Sequence, residues 1–388
     1  MSLTRLAQDP TDPAFVQDPY SFYARARAAG DLVWWDDYAM PAAASRRAVT
    51  ALLRDRRFGR EAPFPEPVPE RLAPFYAVEA HSMLELEPPR HTRLRGLVLR
   101  AFTSRRVAAL ASGIEALCHA LIDAFPTDEF DLLPAYAERV PVITIARLLG
   151  VPEADADQLL AWSGAMVGMY QAGRTRGHED AAVAATSAFT DYLRGVIAAK
   201  RRTPADDLLS ELIAARDGSD RLSEDELVST VILLLNAGHE ATVHAIGNGA
   251  ALLLSRGLRP EDPERATEEI LRFDPPLHLF IRYALEDAEA FGHRFARGDR
   301  VACLLASANR DTAAYERPDD FDPARTPGPT ASFGGGIHFC VGAPLARLEL
   351  AIALPALFAR CPGLRLAEPP RYAQIYHFHG LARLIVTR

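Results

Sequence analysis

Phe333-Gly334-Gly335-Gly336-Ile337-His338-Phe339-Cys340-Val341-Gly342 is a glycine-rich loop that delivers one cysteine at the start of an expected helix, Ala343 to Phe358. A helix N-terminus favours negative charge, so backbone donors and the macrodipole there stabilise a thiolate at Cys340. Three successive glycines let the main chain approach a flat ligand closely, and Gly342 leaves room on the other side of the cysteine. His338 lies two residues before, within reach of an anionic group on the same ligand. Two plainer readings compete. A glycine-rich loop can cradle phosphate, although no G-K-[ST] follows, and a lone cysteine is most often a small buried hydrophobe.

Outward from this loop the chain reads as mainly helical. A capping-box pattern at Ser223-Glu224-Asp225-Glu226 opens an apolar run through Leu227, Val231 and Leu234 to about Leu254, with no proline to interrupt it. Helices are expected over most of 90–275 and over 343–358. Asp18-Pro19 opens a helix at Tyr20 to Ala29, Leu32 to Trp35 reads as a strand, and Arg46 to Leu53 reads as a helix. Strands are expected near 30–60 and 280–310 and in the tail. Prolines at 63, 65, 67, 69 and 74 make Glu61 to Pro74 a long irregular loop. The fold class is therefore mainly α with a smaller β-rich part (α+β).

The 388 residues carry 49% hydrophobic and 24% charged side chains, ordinary for a globular chain. No apolar stretch approaches the roughly 20 residues of a membrane span, so a cytoplasmic protein with no membrane partner is expected. The net charge of −8, with arginines scattered among acids, argues against nucleic acid. Cys118, Cys303, Cys340 and Cys361 lie far apart, without the spacing of a disulfide framework or zinc knuckle. His239-Glu240 begins an H-E-x-x-H, but the second histidine comes one place late, at His244. Five residues turn a helix by about 140°, so the two imidazoles cannot bind one metal from one face.

The ten residues from Phe333 to Gly342 match F-x-x-G-x-[HRK]-x-C-x-G without departure, and on them the chain resembles the cytochrome P450 family. Glu269-Ile270-Leu271-Arg272 is similar to that family's E-x-x-R pair, with Arg317 of Tyr315 to Phe321 as candidate third partner. Pro275 to Arg282 resembles the segment that lines the substrate pocket and ends in a propionate-binding Arg. Glu87-Pro88-Pro89-Arg90-His91-Thr92-Arg93-Leu94-Arg95 resembles the helix carrying a propionate-binding His and Arg. The resemblance implies one P450 domain over 1–388, a triangular prism with a long helix over the haem. It further implies haem b, with Cys340 as axial ligand of the iron, and O2 as co-substrate. Phe333, Gly342 and Ala237 would border the haem, and His91, Arg95, Arg282 and His338 would meet its propionates.

The same resemblance places Glu240 as the acid of a proton relay, with Ala237-Gly238 leaving a groove for oxygen. Here the chain departs from the family pattern. The usual threonine position holds Ala241, and a hydroxyl appears one residue later at Thr242, about 100° round the helix. Water or a substrate hydroxyl is expected to complete the relay. Pocket walls are expected from Met83, Leu84, Met166, Met169, Tyr170, Leu233, Ala237, Leu277, Leu279, Phe280 and Phe378, mostly apolar, for a medium-sized hydrophobic substrate. The implied partner is a separate ferredoxin with an NAD(P)H-dependent reductase, steered by Arg100, Arg105, Arg106 and Arg347, and a monomer is expected. Two alternatives stay open: a peroxide-driven haem-thiolate hydroxylase, and a haem sensor or carrier without turnover.

Overall fold

The computed structural model describes residues 3–217 and 220–388. Tyr20–Ala29 is a helix stopped by Gly30, whose φ of 144° ends it. Leu32–Trp35 then pairs antiparallel with Met40–Ala43, and the Ser45 hydroxyl caps Arg46–Arg54 by accepting from the Ala48 N–H. These strands join a six-stranded sheet in the order Arg5–Leu6, Leu32–Trp35, Met40–Ala43, Arg300–Leu304, Leu279–Ala284, Phe58–Gly59. Small strands of the tail complete the β part, Ile385–Thr387 lying between Arg365–Leu366 and Phe130–Asp131. The mainly α architecture with a smaller β-rich part expected above is the one observed.

The helix Glu224–Ser255 spans 32 residues, and both bonds of its capping box are present, Ser223 to Glu226 and back. It runs through the helical half against Arg139–Leu149, Ala156–Val167 and Ala343–Arg360. Small residues set how close these helices come. A side chain at Gly249 would press on Ile270 and Leu354, both 3.0 Å from where its Cβ would stand. The proline-rich loop ends sooner than expected, in a short helix Ala73–Glu79. Pro74 sits in its first turn, where a missing N–H costs nothing.

Glu269 and Arg272 are 2% and 3% exposed. Arg272 donates to both Glu269 oxygens at 2.7 and 2.8 Å and to the carbonyls of Asn309, Pro318 and Asp320. The third partner is Arg325, whose Nε lies 3.2 Å from Glu269. Arg317 turns to Asp320 at the surface instead. The chain needs eight further residues after Arg317 before it returns to the pair, a path that local spacing does not reveal.

Candidate active site

The cysteine loop is built by close contacts that only glycine allows. Gly334 and Gly336 have φ of 71° and 67°, and a Cβ on Gly336 would run into the Leu53 carbonyl. The Cys340 N–H donates to the Phe333 carbonyl at 3.0 Å, and the Arg347 guanidinium lies 4.4 Å above the Phe333 ring. Burial raises the Cys340 thiol above its ordinary range; N–H groups of Gly342 and Ala343, then Arg95 and Arg347, act the other way. The helix-end stabilisation read from the sequence is therefore present but outweighed by burial in the bare protein. A bound cation would reverse the balance, since a metal deprotonates a coordinating thiol outright. Cys340 is exposed although burial dominates its shift, so it faces a cavity inside the protein rather than the outer surface.

Basic groups ring that cavity. His91 and Arg95 stand one turn apart on Arg90–Ala101, and Arg282 comes from the strand Leu279–Ala284. His91 is 2% exposed, and neither ring nitrogen has a partner. Burial first, then His338 and Arg95, pushes it down to about 4. Arg282 is 1% exposed and, among the described residues, has no carboxylate within ion-pair distance. Burial and then Arg60 pull it down to about 10. Arg95 donates to the Phe339 carbonyl and lies close enough to Cys340 to favour its thiolate form. His338 is held by Glu87 at 2.9 Å, with its ring 4.3 Å from that of His91. Arg60, which sequence reasoning did not single out, joins the ring: it pairs with Glu85 and shares the Phe280 face with Arg282.

Buried basic groups without internal acids are costly unless a ligand supplies the acids. A flat ligand bearing two carboxylates and a metal that takes thiolate fits this donor set, which is the chemistry of haem. Cys340 would take the iron, and His91, Arg95 and Arg282, with Arg60 behind them, would take the propionates.

Across the cavity runs the middle of the long helix. Ala237 is exposed there while Leu235 and His239 on either side are buried, so its methyl faces the cavity. Gly238 does not share that view: a Cβ on it would stand 2.9 Å from Ile145, so it admits the neighbouring helix rather than a ligand. Burial, then Glu138, raises Glu240 to about 7. His239 and His244 flank its carboxylate at 3.6 and 3.9 Å. Ala241 is partly accessible, whereas Thr242 is turned away and 4% exposed.

The expected pocket walls divide in two. Leu84, Leu233, Ala237, Leu277, Phe280 and Phe378 are accessible, as is Tyr170. Met83, Met166 and Met169 are instead closed into the helical core. Leu279 also leaves the pocket, because strand alternation sends it to the N-terminal core with Val16 and Leu304 while Phe280 and Arg282 share the opposite face. Among the described residues Asp274, His278 and His379 offer ligand atoms within 4.8 Å of one another. His379 has no lone pair to spare, since its nitrogens face Asp274 at 3.0 Å and the Val16 carbonyl at 3.1 Å, and Tyr372 and Tyr20 hydroxyls fill Asp274. This cluster ties the first helix to the tail.

The shifted groups fix how stability depends on pH. Burial pushes His91, His239, His244, His278 and His377 each down to about 4, Glu79 and Glu240 up to about 7, and Glu349 well above the usual carboxyl range. Between about pH 6.5 and 4.5 the unfolded chain binds the five histidine protons, and the fold keeps the three carboxyl protons. The unfolded state thus holds about two protons more. Stability is expected to rise with pH across this window and to fall on acidification by about 2–3 kcal/mol per pH unit. Denaturant titrations at pH 6.5 and 5 check this, and a flat or reversed slope would contradict it.

The vitamin D(3) 25-hydroxylase of Pseudonocardia autotrophica is 42% identical over 318 residues, covering 79% of this chain and 77% of that protein. The chain belongs to the cytochrome P450 family. The family profile "Cytochrome P450" matches residues 264–363, from the buried Glu269–Arg272 pair to the far end of the helix after Cys340. The biotin biosynthesis cytochrome P450 of Bacillus subtilis (strain 168) is 34% identical, covering 98% of this P450 and 99% of its relative. Among solved structures, P450BioI in complex with hexadec-9Z-enoic acid ligated acyl carrier protein matches with a TM-score of 0.91 at 33% identity, covering 97% and 99% of the two chains. This P450 is therefore an oxidoreductase, a monooxygenase of a small-molecule substrate that uses haem iron and O2. Among the described residues no helix is long and apolar enough to cross a membrane.

Proposed function

We propose that this P450 acts as a one-domain monomer that inserts one atom of O2 into a medium-sized organic molecule, fed by a separate ferredoxin and reductase. The observation that carries it is Cys340 at a helix start, facing a cavity where buried His91 has no partner and buried Arg282 has, among the described residues, no carboxylate within ion-pair distance. Cys118, Cys303 and Cys361 are buried, which leaves Cys340 as the exposed thiol and supports haem b, held by one thiolate and its propionate contacts. When bound, the haem activates O2, and a thiolate ligand pushes electron density onto iron and favours O–O cleavage.

The chain's own contribution is position and protons. Ala237 and Phe280 would present apolar surface to a bound substrate and help to keep bulk water from it. Glu240 keeps a proton near neutrality because burial raises it to about 7, and the His239 and His244 rings that flank it are neutral at that pH. Ala241 offers no hydroxyl, so water or a substrate hydroxyl carries the proton over the last step. Glu240→Gln is expected to lower product formation about 100-fold with substrate binding kept. Ala241→Thr is expected to lower peroxide release per product for substrates without a hydroxyl. Product and peroxide counted per reduced cofactor check both, and unchanged ratios in both variants would remove the relay.

For the electron partner, Arg100 and Arg105 are the exposed members of the arginines expected to steer it. Arg105 lies on Ser104–Ala109, which packs against the helix following Cys340. Arg106 and Arg347 are engaged by Asp206 and Glu211 and by Glu268. Turnover under isotopically labelled dioxygen tests the reaction: one labelled atom per product is expected, and label entering from water would overturn it. Full-rate turnover with peroxide alone would favour the peroxide-driven alternative.

A further inference from the structure

Beside Phe378, one of the accessible residues expected to line the pocket, lies a polar cluster. Glu79 closes the short helix Ala73–Glu79, Tyr170 closes the turn Gly168–Tyr170, and His377 precedes Phe378 in the tail. The Tyr170 hydroxyl donates to Glu79 Oε2 at 2.7 Å, and the Tyr170 ring stacks on His377 with centroids 6.1 Å apart and planes at 23°. The Phe378 ring lies 5.0 Å from His377 and 6.0 Å from His244, so the group continues to the cavity face of the long helix. Tyr170 is 38% exposed, yet burial is the largest influence on both it and Glu79. They line an enclosed space, not the outer surface.

The charges around Glu79 leave it without a cation. Among the described residues it forms no ion pair, and its one side-chain bond is to a neutral phenol. Arg60 attracts it and Glu85 repels it, but these two are paired with each other. His377 is pushed down to about 4 by burial and then Arg60, so it is neutral near pH 7. Asp191, Arg194 and Asp225 border the outer side of the short helix with Ala77, Ala80 and His81, away from Tyr170. The remainder is one carboxyl beside two stacked aromatic faces, a combination that holds an ammonium by charge and by cation–π contact.

We propose that the substrate carries a basic nitrogen, bound as an ammonium between Glu79, Tyr170 and His377 while its carbon skeleton extends toward Cys340. This deepens the monooxygenase reading and rests on it. A neutral hydroxyl, or a carboxylate drawn to Arg60, are the competing ligands.

The test titrates the holoenzyme with decyltrimethylammonium, decanol and decanoate, by the haem absorption shift and by calorimetry. The quaternary nitrogen cannot ligate iron, so only pocket affinity is read. Near pH 8 the ammonium is expected to bind about tenfold more tightly than decanol or decanoate. Glu79 sits at about 7, so it is charged above that pH and neutral below, and the preference should fade by pH 6. Glu240 titrates in the same range, so Glu79→Gln separates the two: it should lose both the preference and its pH dependence, with decanol binding unchanged. Tighter binding of decanoate, equal binding of decanol, or a preference that survives Glu79→Gln would overturn the proposal. The wild-type pH series needs no variant to fold. An intact thiolate spectrum in the same samples separates failure of this proposal from failure of the monooxygenase reading.

Discussion

Glu269→Ala is expected to lower the unfolding free energy by roughly 3–5 kcal/mol, a large share of the 5–15 kcal/mol that holds a typical protein folded. The change leaves Arg272 buried with its charge uncompensated, 3% exposed among carbonyls. It also strips the Asp322 N–H of its acceptor and Arg325 of its anion. Three segments lose a common anchor at once: the helix Pro263–Phe273, the turn near Asn309 and the loop around Asp320. Arg325→Ala should cost far less, because its guanidinium is partly exposed and Arg272 still neutralises Glu269. Denaturant unfolding of both variants checks the contrast, and a loss under about 1 kcal/mol for Glu269→Ala would contradict it.

Cys340→Ser is expected to abolish substrate turnover while leaving a folded protein. The serine keeps the size of the loop and the turn from Phe333 to the helix start, so stability should stay within about 1 kcal/mol. The basic rim of His91, Arg95 and Arg282 is untouched, so porphyrin uptake should weaken without vanishing. What disappears is the soft, electron-donating sulfur, on which oxygen activation depends. Turnover above one-tenth of wild type would mean that the thiolate is not the operative ligand.

Some of this was legible in the sequence because it is local. The Phe333–Gly342 loop, the Glu269–Arg272 pair and the capping box at Ser223 each lie within ten residues, where backbone geometry alone relates the side chains. His91 with Arg95 needed only one helical turn. What escaped depends on chain paths over long separations. Arg325 reaches Glu269 after a loop that no periodicity describes, and Gly238 is small because Ile145, on another helix, comes against it. Arg60 and Glu79 flank an irregular proline-rich stretch, so nothing in their spacing showed that both turn inward. Leu279 is different: its exclusion from the pocket follows from strand alternation, and reading the segment with period two would have found it.

The absorption spectrum of the reduced, carbon-monoxide-bound protein bears most directly on the role of Cys340. The wild type should show the strongly red-shifted band of a thiolate-ligated haem, and Cys340→Ser should lose it. A wild-type band at the position of nitrogen-ligated haem, or an unshifted spectrum in Cys340→Ser, would contradict the assignment.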